Sequence, residues 1–498
     1  MFGSATHSQA EKRTINAATT RVPGPTGAAI FVGVFAAVVS VLGSWVPSYW
    51  SDEVASLRAA RLTWQELFEF TGHIDGVHVA YYCVLKVWTG VFGESELATR
   101  SLSAACIGLA AAGLVRLVFL LSTTSTAVMA GVIFAVLPRI TFLGIESRSF
   151  ALNIALVIWM TIALVQATEL RRRRWWVLYS VLLTVAIYVF LYAALLVGAH
   201  LIYTLARGGR RVLGSWFLSV LAAVVLSTPI FLAAVHQRDQ ISWLSEQSAV
   251  NPWAIFGAPV FETSWLVALL AWAGLLLLVL RARVILASEE RWLCLLACVW
   301  FIVPTTTLLM ADAVVGPLYT GRYLAVTAPA MAILLAIAIK LWAKPLLGWT
   351  FVAVIVVATL PTYVGQREPL AKNGGSDLAQ ISDYVAEHSE LGDAIYLEKG
   401  SGPSRPRQAL YAYPRSFAGL VDIGFEQSFV ATGTFSDRTA SLNELPLLLT
   451  GVDRIWVVTA GGSDATANVS AHEILAASGY SVRERSATNR SLVTLYER

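Results

Sequence analysis

The run Val77-His78-Val79-Ala80-Tyr81-Tyr82-Cys83-Val84-Leu85-Lys86-Val87-Trp88-Thr89-Gly90-Val91-Phe92-Gly93 decides how this chain is arranged. It is apolar enough to count as a membrane crossing, and counting it would invert every loop that follows. Read as a helix, it sets Val77, Tyr81, Val84, Leu85, Trp88, Val91 and Phe92 along one face and His78, Tyr82, Lys86 and Thr89 along the other. That is the pattern of an amphipathic helix lying in a lipid interface.

The rest of the chain is dominated by longer apolar runs. Of its 498 residues 56% are hydrophobic and 14% charged, whereas about a quarter of the residues in a soluble globular protein are charged. Eleven runs, near 27–46, 97–120, 124–139, 149–167, 175–190, 192–206, 213–234, 264–280, 292–310, 324–342 and 348–364, approach the roughly 17 to 25 residues a helix needs to cross hydrocarbon. With eleven crossings and a cytoplasmic N-terminus, Arg171 to Arg174, then Arg207, Arg210 and Arg211, then Arg281 and Arg283, then Lys340 and Lys344 all fall inside. With twelve, all but the last pair would fall outside. The eleven-crossing reading puts residues 47–96, 140–148, 235–263, 311–323 and everything after the last run on the outer face. Because the basic residues cluster at the ends of apolar runs, the net charge of +4 reflects topology and not a nucleic-acid surface.

Residues 1–26 are polar and read as a disordered cytoplasmic tail, and the first apolar run lacks a small-residue cleavage pattern, so it reads as a retained span. Cys83, Cys106, Cys294 and Cys298 lie in apolar stretches and read as small core hydrophobes. The expected architecture is a polytopic all-α membrane domain over 27–365 with an interfacial helix in its first outer loop. A soluble extracytoplasmic α/β domain follows over 366–498. There Ser376 is the expected N-cap of a helix through His388, with strands at Ala394 to Leu397, Arg454 to Thr459 and Ser491 to Tyr496 and helices near 441–449 and 470–478. Gly461-Gly462 reads as a connecting turn, since no Walker or Gly-x-Gly-x-x-Gly pattern surrounds it.

Four polar clusters meet on the outer face. The first loop carries Ser51-Asp52-Glu53 followed by Arg58, with Ser51 placed to cap a helix whose first turn holds both acids. His73-Ile74-Asp75-Gly76-Val77-His78 comes next, and its two histidines and one acid could ligate a divalent metal. Glu146-Ser147-Arg148 and Arg322-Tyr323 complete the set. Taken singly, each is equally an interfacial anchor or a solvated helix turn; their convergence argues for a site. The segment from His236 to Trp243 is placed to line an entrance, with Trp243 either stacking on a sugar or anchoring a helix end.

Ser51-Asp52-Glu53, His73-x-Asp75-x-Val77-His78-x-x-Tyr81-Tyr82, Glu146-x-Arg148-x-Phe150, and Arg322-Tyr323 followed by Pro329 resemble the GT-C superfamily of integral membrane glycosyltransferases. The closer likeness is to its protein-O-mannosyltransferase and aminoarabinose-transferase branch, in the form common in actinobacteria. The resemblance covers roughly 27–365. It implies that Asp52 is the catalytic base of an inverting transfer from a polyprenyl-phosphate-sugar to a hydroxyl of a glycan, glycolipid or protein. Arg322, Arg148, Lys86 and Arg58 would receive the leaving phosphate, while Glu53, Asp75, His78, Tyr82, Glu146, Trp243 and Tyr323 would bind substrate. Mannose is the sugar the resemblance favours, with arabinofuranose as the alternative. The branch often carries an acid followed by lysine before the interfacial helix; Asp75-Gly76 stands there, and Lys86 is the candidate substitute. A transporter or lipid flippase is the competing class, although such proteins place polar sites near the bilayer midplane and show repeated halves, and neither feature is evident here.

Overall fold

The structure is a computed structural model and describes residues 25–240, 244, 251–400, 402–461 and 465–498. Sixteen of its helices carry labels here up to the end of the apolar part: α1 (Pro25–Val41), α2 (Ser51–Arg61), α3 (Trp64–His73), α4 (Val79–Phe92), α5 (Glu96–Leu121), α6 (Thr124–Val136), α7 (Pro138–Leu143), α8 (Phe150–Leu170), α9 (Arg173–Val189), α10 (Leu196–Gly208), α11 (Arg210–Leu226), α12 (Thr228–His236), α13 (Trp265–Leu280), α14 (Arg291–Val315), α15 (Ala328–Trp342) and α16 (Pro345–Gly365). Every one of the eleven apolar runs is helical. Helices long and apolar enough to cross a membrane number six among the described residues, or seven if α11 and α12, bent by 50° at their junction, form one span. The sequence count is larger because α1, α6 and α13 are apolar but shorter than such a span, and because α9, at 17 residues with two arginines in its first turn, does not qualify either. Large side chains such as Phe31, Leu218, Leu269 and Val357 point outward along these helices, as expected where lipid is the solvent. The chain is therefore a multi-pass membrane protein.

At 14 residues α4 falls short of the ~20 needed to cross. It packs on α2 and α5. Its buried face is Tyr81, Tyr82 and Leu85, while Val84, Val87, Val91 and Phe92 are exposed. The sequence placed Tyr82 on the polar face; packing against α2 turns it inward. Helix α2 also starts differently from expectation. Its N-cap is Trp50, without a side-chain cap, and Ser51 is its first helical residue. Helix α3 carries the cap that α2 lacks: Thr63 accepts from the Glu66 amide and Glu66 accepts from the Thr63 amide.

After the last apolar helix the chain forms a five-stranded sheet of order β2-β1-β5-β7-β6, with β1 (Ala394–Leu397), β2 (Val421–Asp422), β5 (Arg454–Ala460), β6 (Ser481–Ala487) and β7 (Ser491–Glu497). A separate two-stranded ribbon pairs β3 (Phe425–Gln427) with β4 (Arg438–Thr439). Strands β2, β1 and β5 are parallel, and β7 and β6 continue antiparallel. Side chains alternate in or out along each strand, so Ile395, Leu397, Trp456, Val458, Val493 and Leu495 form one face and pack on Leu378, Ile381 and Val385 of helix α17 (Leu378–His388). The opposite face, with Tyr396, Ile455 and Val457, covers Leu475 of helix α18 (Ala465–Ala477). The first cluster also contains Tyr49, Val54 and Leu57, so the sheet shares a core with the start of α2. Ser376 does not cap α17: its hydroxyl donates to the Tyr49 carbonyl at 2.7 Å, and the Ala379 amide donates to Ser48 Oγ at 3.1 Å. The cap of α17 comes from the first loop, more than 300 residues earlier.

Candidate active site

Where the sheet meets the helices lies a cavity of about 930 Å³. Its floor comes from Asp52 and Arg58 of α2, Asp75 and His78 of the turn before α4, Glu146 and Arg148 before α8, and Arg322 and Tyr323 before α15. Lys399, Gly400, Arg405, Arg407 and Tyr411, with residues 435–437, form its roof from the sheet unit.

Asp52 sits in the first turn of α2, where the helix dipole favours an anion. Arg322 Nη1 donates to Asp52 Oδ2 at 2.8 Å. From the other side, Arg148 Nη1 donates to the Asp52 carbonyl at 3.2 Å and to Ser56 Oγ at 3.3 Å. Burial pushes the Asp52 carboxyl upward, but the charges of Arg148 and Arg322 outweigh it and hold the group below the usual carboxylate range. Two cations thus converge on one ionised acid at the floor of a cavity.

Glu53, its neighbour, does not line the cavity. Its side chain is fully buried and receives Arg100 Nε at 2.8 Å and Arg100 Nη2 at 2.7 Å, a bidentate pair. Glu53 Oε1 also accepts the Ser147 amide at 2.9 Å, while Arg100 Nη1 donates to the carbonyls of Ser44 and Pro47. Glu53 thereby ties α2, α5 and the 146–148 segment together and sets Asp52 beside Arg148.

Asp75 adopts a left-handed backbone, φ 61°, a conformation that aspartate tolerates better than most residues. The turn is braced by Gln240, which accepts the Asp75 amide at 3.0 Å, and Gln237, which accepts the Gly76 amide at 2.8 Å. Tyr82 is enclosed and donates its hydroxyl to Asp75 Oδ2, so it orients the acid and stays out of the cavity. His78 Nε2 lies 3.8 Å from Asp75 Oδ1 and 3.4 Å from Arg148 Nη2. Burial lowers the His78 ring to about 4 in spite of Asp75, so the imidazole is neutral near pH 7. His73 stands exposed at the end of α3, away from His78. Among the described residues no three His, Cys, Asp or Glu side chains group as a metal site.

Lys86 is also elsewhere. It donates to the carbonyls of Ala60 and Leu62 at the C-terminal end of α2, where the dipole favours a cation. Glu146 is raised by burial and by the nearby Glu53, with Lys372 opposing. Trp243 lies outside the described residues, as does Gly462. Sequence reading missed Arg139, which pairs with Glu262, and the whole roof: Lys399, Arg405, Arg407, Tyr411 and Asp437. Those residues sit in a unit whose sequence carries no membrane signal pointing back to the first loop.

Comparison with known proteins follows the same lines. A family model described as dolichyl-phosphate-mannose-protein mannosyltransferase matches residues 79–236. Among solved structures, the chain is similar to ArnT from Cupriavidus metallidurans bound to undecaprenyl phosphate, at TM-score 0.61 and 14% identity, over 94% of this chain and 97% of that one. The apo form of the same protein gives TM-score 0.58 and 15% identity over the same shares. An oligosaccharyltransferase from Archaeoglobus fulgidus gives TM-score 0.48 and 12% identity over 91% and 73%. Curated protein sequences give no match. The chain has the fold of ArnT, sheet unit included.

Proposed function

We propose that this protein is an inverting glycosyltransferase that moves a sugar from a polyprenyl-phosphate carrier to a hydroxyl of a cell-envelope acceptor on the extracytoplasmic side. The observation that carries the reading is the Asp52 carboxylate paired with Arg322 at the cavity floor, with Arg148 alongside on the Asp52 backbone carbonyl. The acceptor hydroxyl attacks the anomeric carbon, its proton passes to Asp52, and the bond from that carbon to the phosphate oxygen breaks with its electron pair going to the carrier. A positioned base supplies about 10²- to 10⁴-fold in such a step. The departing phosphate gains charge, and Arg322 and Arg148 are placed to meet it; guanidinium forks suit phosphate oxygens. Arg322 serves both groups: it keeps Asp52 ionised before the donor arrives and neutralises the phosphate afterwards. The ArnT structure with undecaprenyl phosphate and the dolichyl-phosphate-mannose family model both support a polyprenyl-phosphate donor, and mannose is the sugar we assign to it.

Purified protein given polyprenyl-phosphate-[¹⁴C]mannose and membrane lipid extract should form a labelled product, and Asp52→Asn should reduce the rate at least about 10²-fold. Lys86→Gln, away from the cavity, should not. Transfer from polyprenyl-phosphate-arabinose alone would change the sugar and keep the reaction; an active Asp52→Asn variant would remove the base. Label carried across vesicles without a new glycosidic bond would replace transfer by transport.

A further inference from the structure

At the end of the helices opposite the cavity, α9 and α11 start side by side. The chain turns back through α10 between them, so the two run in the same direction, and Ser180 of α9 donates to the Ser219 carbonyl of α11 at 2.9 Å. Ser180 lies seven residues beyond Arg173 and Ser219 nine beyond Arg210. At about 1.5 Å of rise per residue, the two starts are level to within roughly one turn. Four exposed arginines are thereby gathered in one patch: Arg173 and Arg174 on α9, Arg210 and Arg211 on α11.

No acid among the described residues answers these charges. Neither helix has an acid in its first turn, and the three glutamates at this end are engaged elsewhere: Glu169 pairs with Arg207, Glu290 pairs with Lys340, and Glu289 acts on Arg207. The side chains of Arg173, Arg210 and Arg211 make no hydrogen bond or ion pair among the described residues, and that of Arg174 meets the ring of Trp175, 5.5 Å from its centre. The counter-charge has to come from outside the chain. An independent sign lies just beyond the arginines, where α9 exposes Val177, Leu178 and Val181 and α11 exposes Phe217, Leu218 and Leu221. Trp175, half-buried between the basic and apolar levels, stands at the depth where tryptophan collects beside lipid headgroups.

We infer that the starts of α9 and α11 form a binding site for an anionic phospholipid, its phosphate between the two arginine pairs and its acyl chains along the exposed apolar side chains beyond them. Guanidinium forks suit phosphate oxygens, and a basic level followed by an apolar one matches the build of a phospholipid. A zwitterionic lipid brings its own cation and would leave the arginines uncompensated. Topology asks only for basic charge at this end, and not for two pairs set level on adjoining helices. The site is remote from the cavity and does not depend on the transfer reading.

Equilibrium binding to the purified full-length protein in dodecyl maltoside tests this. The probes are radiolabelled dioleoyl phosphatidylglycerol, dioleoyl phosphatidylcholine and, as competitor, glycerol 3-phosphate, which has the phosphate without the chains. Wild type should bind phosphatidylglycerol saturably and at least about tenfold more tightly than phosphatidylcholine, and glycerol 3-phosphate should displace it poorly. The Arg174→Gln/Arg211→Gln variant should lose most of that preference. Arg281→Gln/Arg283→Gln, which removes the same charge from another turn at this end, should keep it. Equal affinity of wild type for the two lipids would overturn the inference, and since that comparison needs no variant, a variant that failed to fold would not leave the matter open. Equal losses in the two double variants would replace the site by diffuse charge, and displacement by glycerol 3-phosphate at the lipid's own concentration would reduce it to a phosphate site without a lipid.

Discussion

At the scale of single residues, the site turns on how two adjacent acids are divided. Asp52 faces the cavity and Glu53 faces Arg100, although the sequence offers both in the same helical turn. The charge environment of Asp52 makes a prediction about pH. Burial raises its carboxyl, Arg148 and Arg322 lower it further than burial raises it, and the net position is below the ordinary 3.8. A base is active when deprotonated, so the Asp52 limb of kcat/KM should lie below pH ~4, and a limb near 7 would belong to Glu146, which burial raises to about 7. His78, already neutral above about 4, adds no limb near neutrality. Removing one of the two cations in Arg322→Gln should lower the rate through loss of phosphate contact and also move the acid limb upward. A pH profile with a diester donor, which does not itself titrate there, reads the second effect separately; an unmoved limb would sever Asp52 from the proton transfer. Asp52, Arg148 and Arg322 were legible beforehand because charged residues at the lipid boundary stand out. Which of the two acids faces the cavity could not be read from the residues themselves, where only the family resemblance singled out Asp52, because Arg100 lies 47 residues from Glu53 inside an apolar helix.

At the scale of elements, helix α2 is held at both ends by groups from elsewhere. Lys86 of α4 closes its C-terminal carbonyls, and Glu53 locks its first turn to α5 and the 146–148 segment. The pair is fully buried on both sides, so breaking it from one side strands a charge at about 3–5 kcal/mol. Glu53→Gln should therefore lower the melting temperature of the detergent-purified protein and also its activity, by releasing α2 and moving Asp52 away from Arg148. Asp52→Asn, at a partly open pair, should melt close to wild type while losing transfer. If Glu53→Gln melted like wild type and kept its rate, the anchoring role would fail. Most helices could be read from hydrophobic runs, since lipid enforces helix wherever the chain is buried in it. The buried face of α4 could not, because the apolar stripe that meets lipid and the stripe that meets protein look alike in sequence.

At the scale of the whole molecule, the sheet shares one core with the first loop and α2 through Tyr49, Val54 and Leu57, and the cavity lies where the sheet unit meets the helical part. The sequence announced β1, β5 and β7 through apolar β-rich runs, but β6 is polar and mostly exposed and β2 has two residues, so neither left a pattern to read. That shared core puts the sheet and the cavity on one side of the membrane. The distribution of arginine and lysine predicts that both face outward, and the fold offers two positions that report it. Leu391, 91% exposed in the turn between α17 and β1, belongs to the sheet unit; Leu286, 68% exposed, follows Arg281 and Arg283 at the opposite end of the helices. The native cysteines are buried or half-buried, and the unmodified protein measures their background. A membrane-impermeant maleimide added to intact spheroplasts should label Leu391→Cys strongly and Leu286→Cys only after lysis. The reverse pattern would place the cavity on the cytoplasmic side, and a carrier loaded with sugar would then have to be met there, before it crosses.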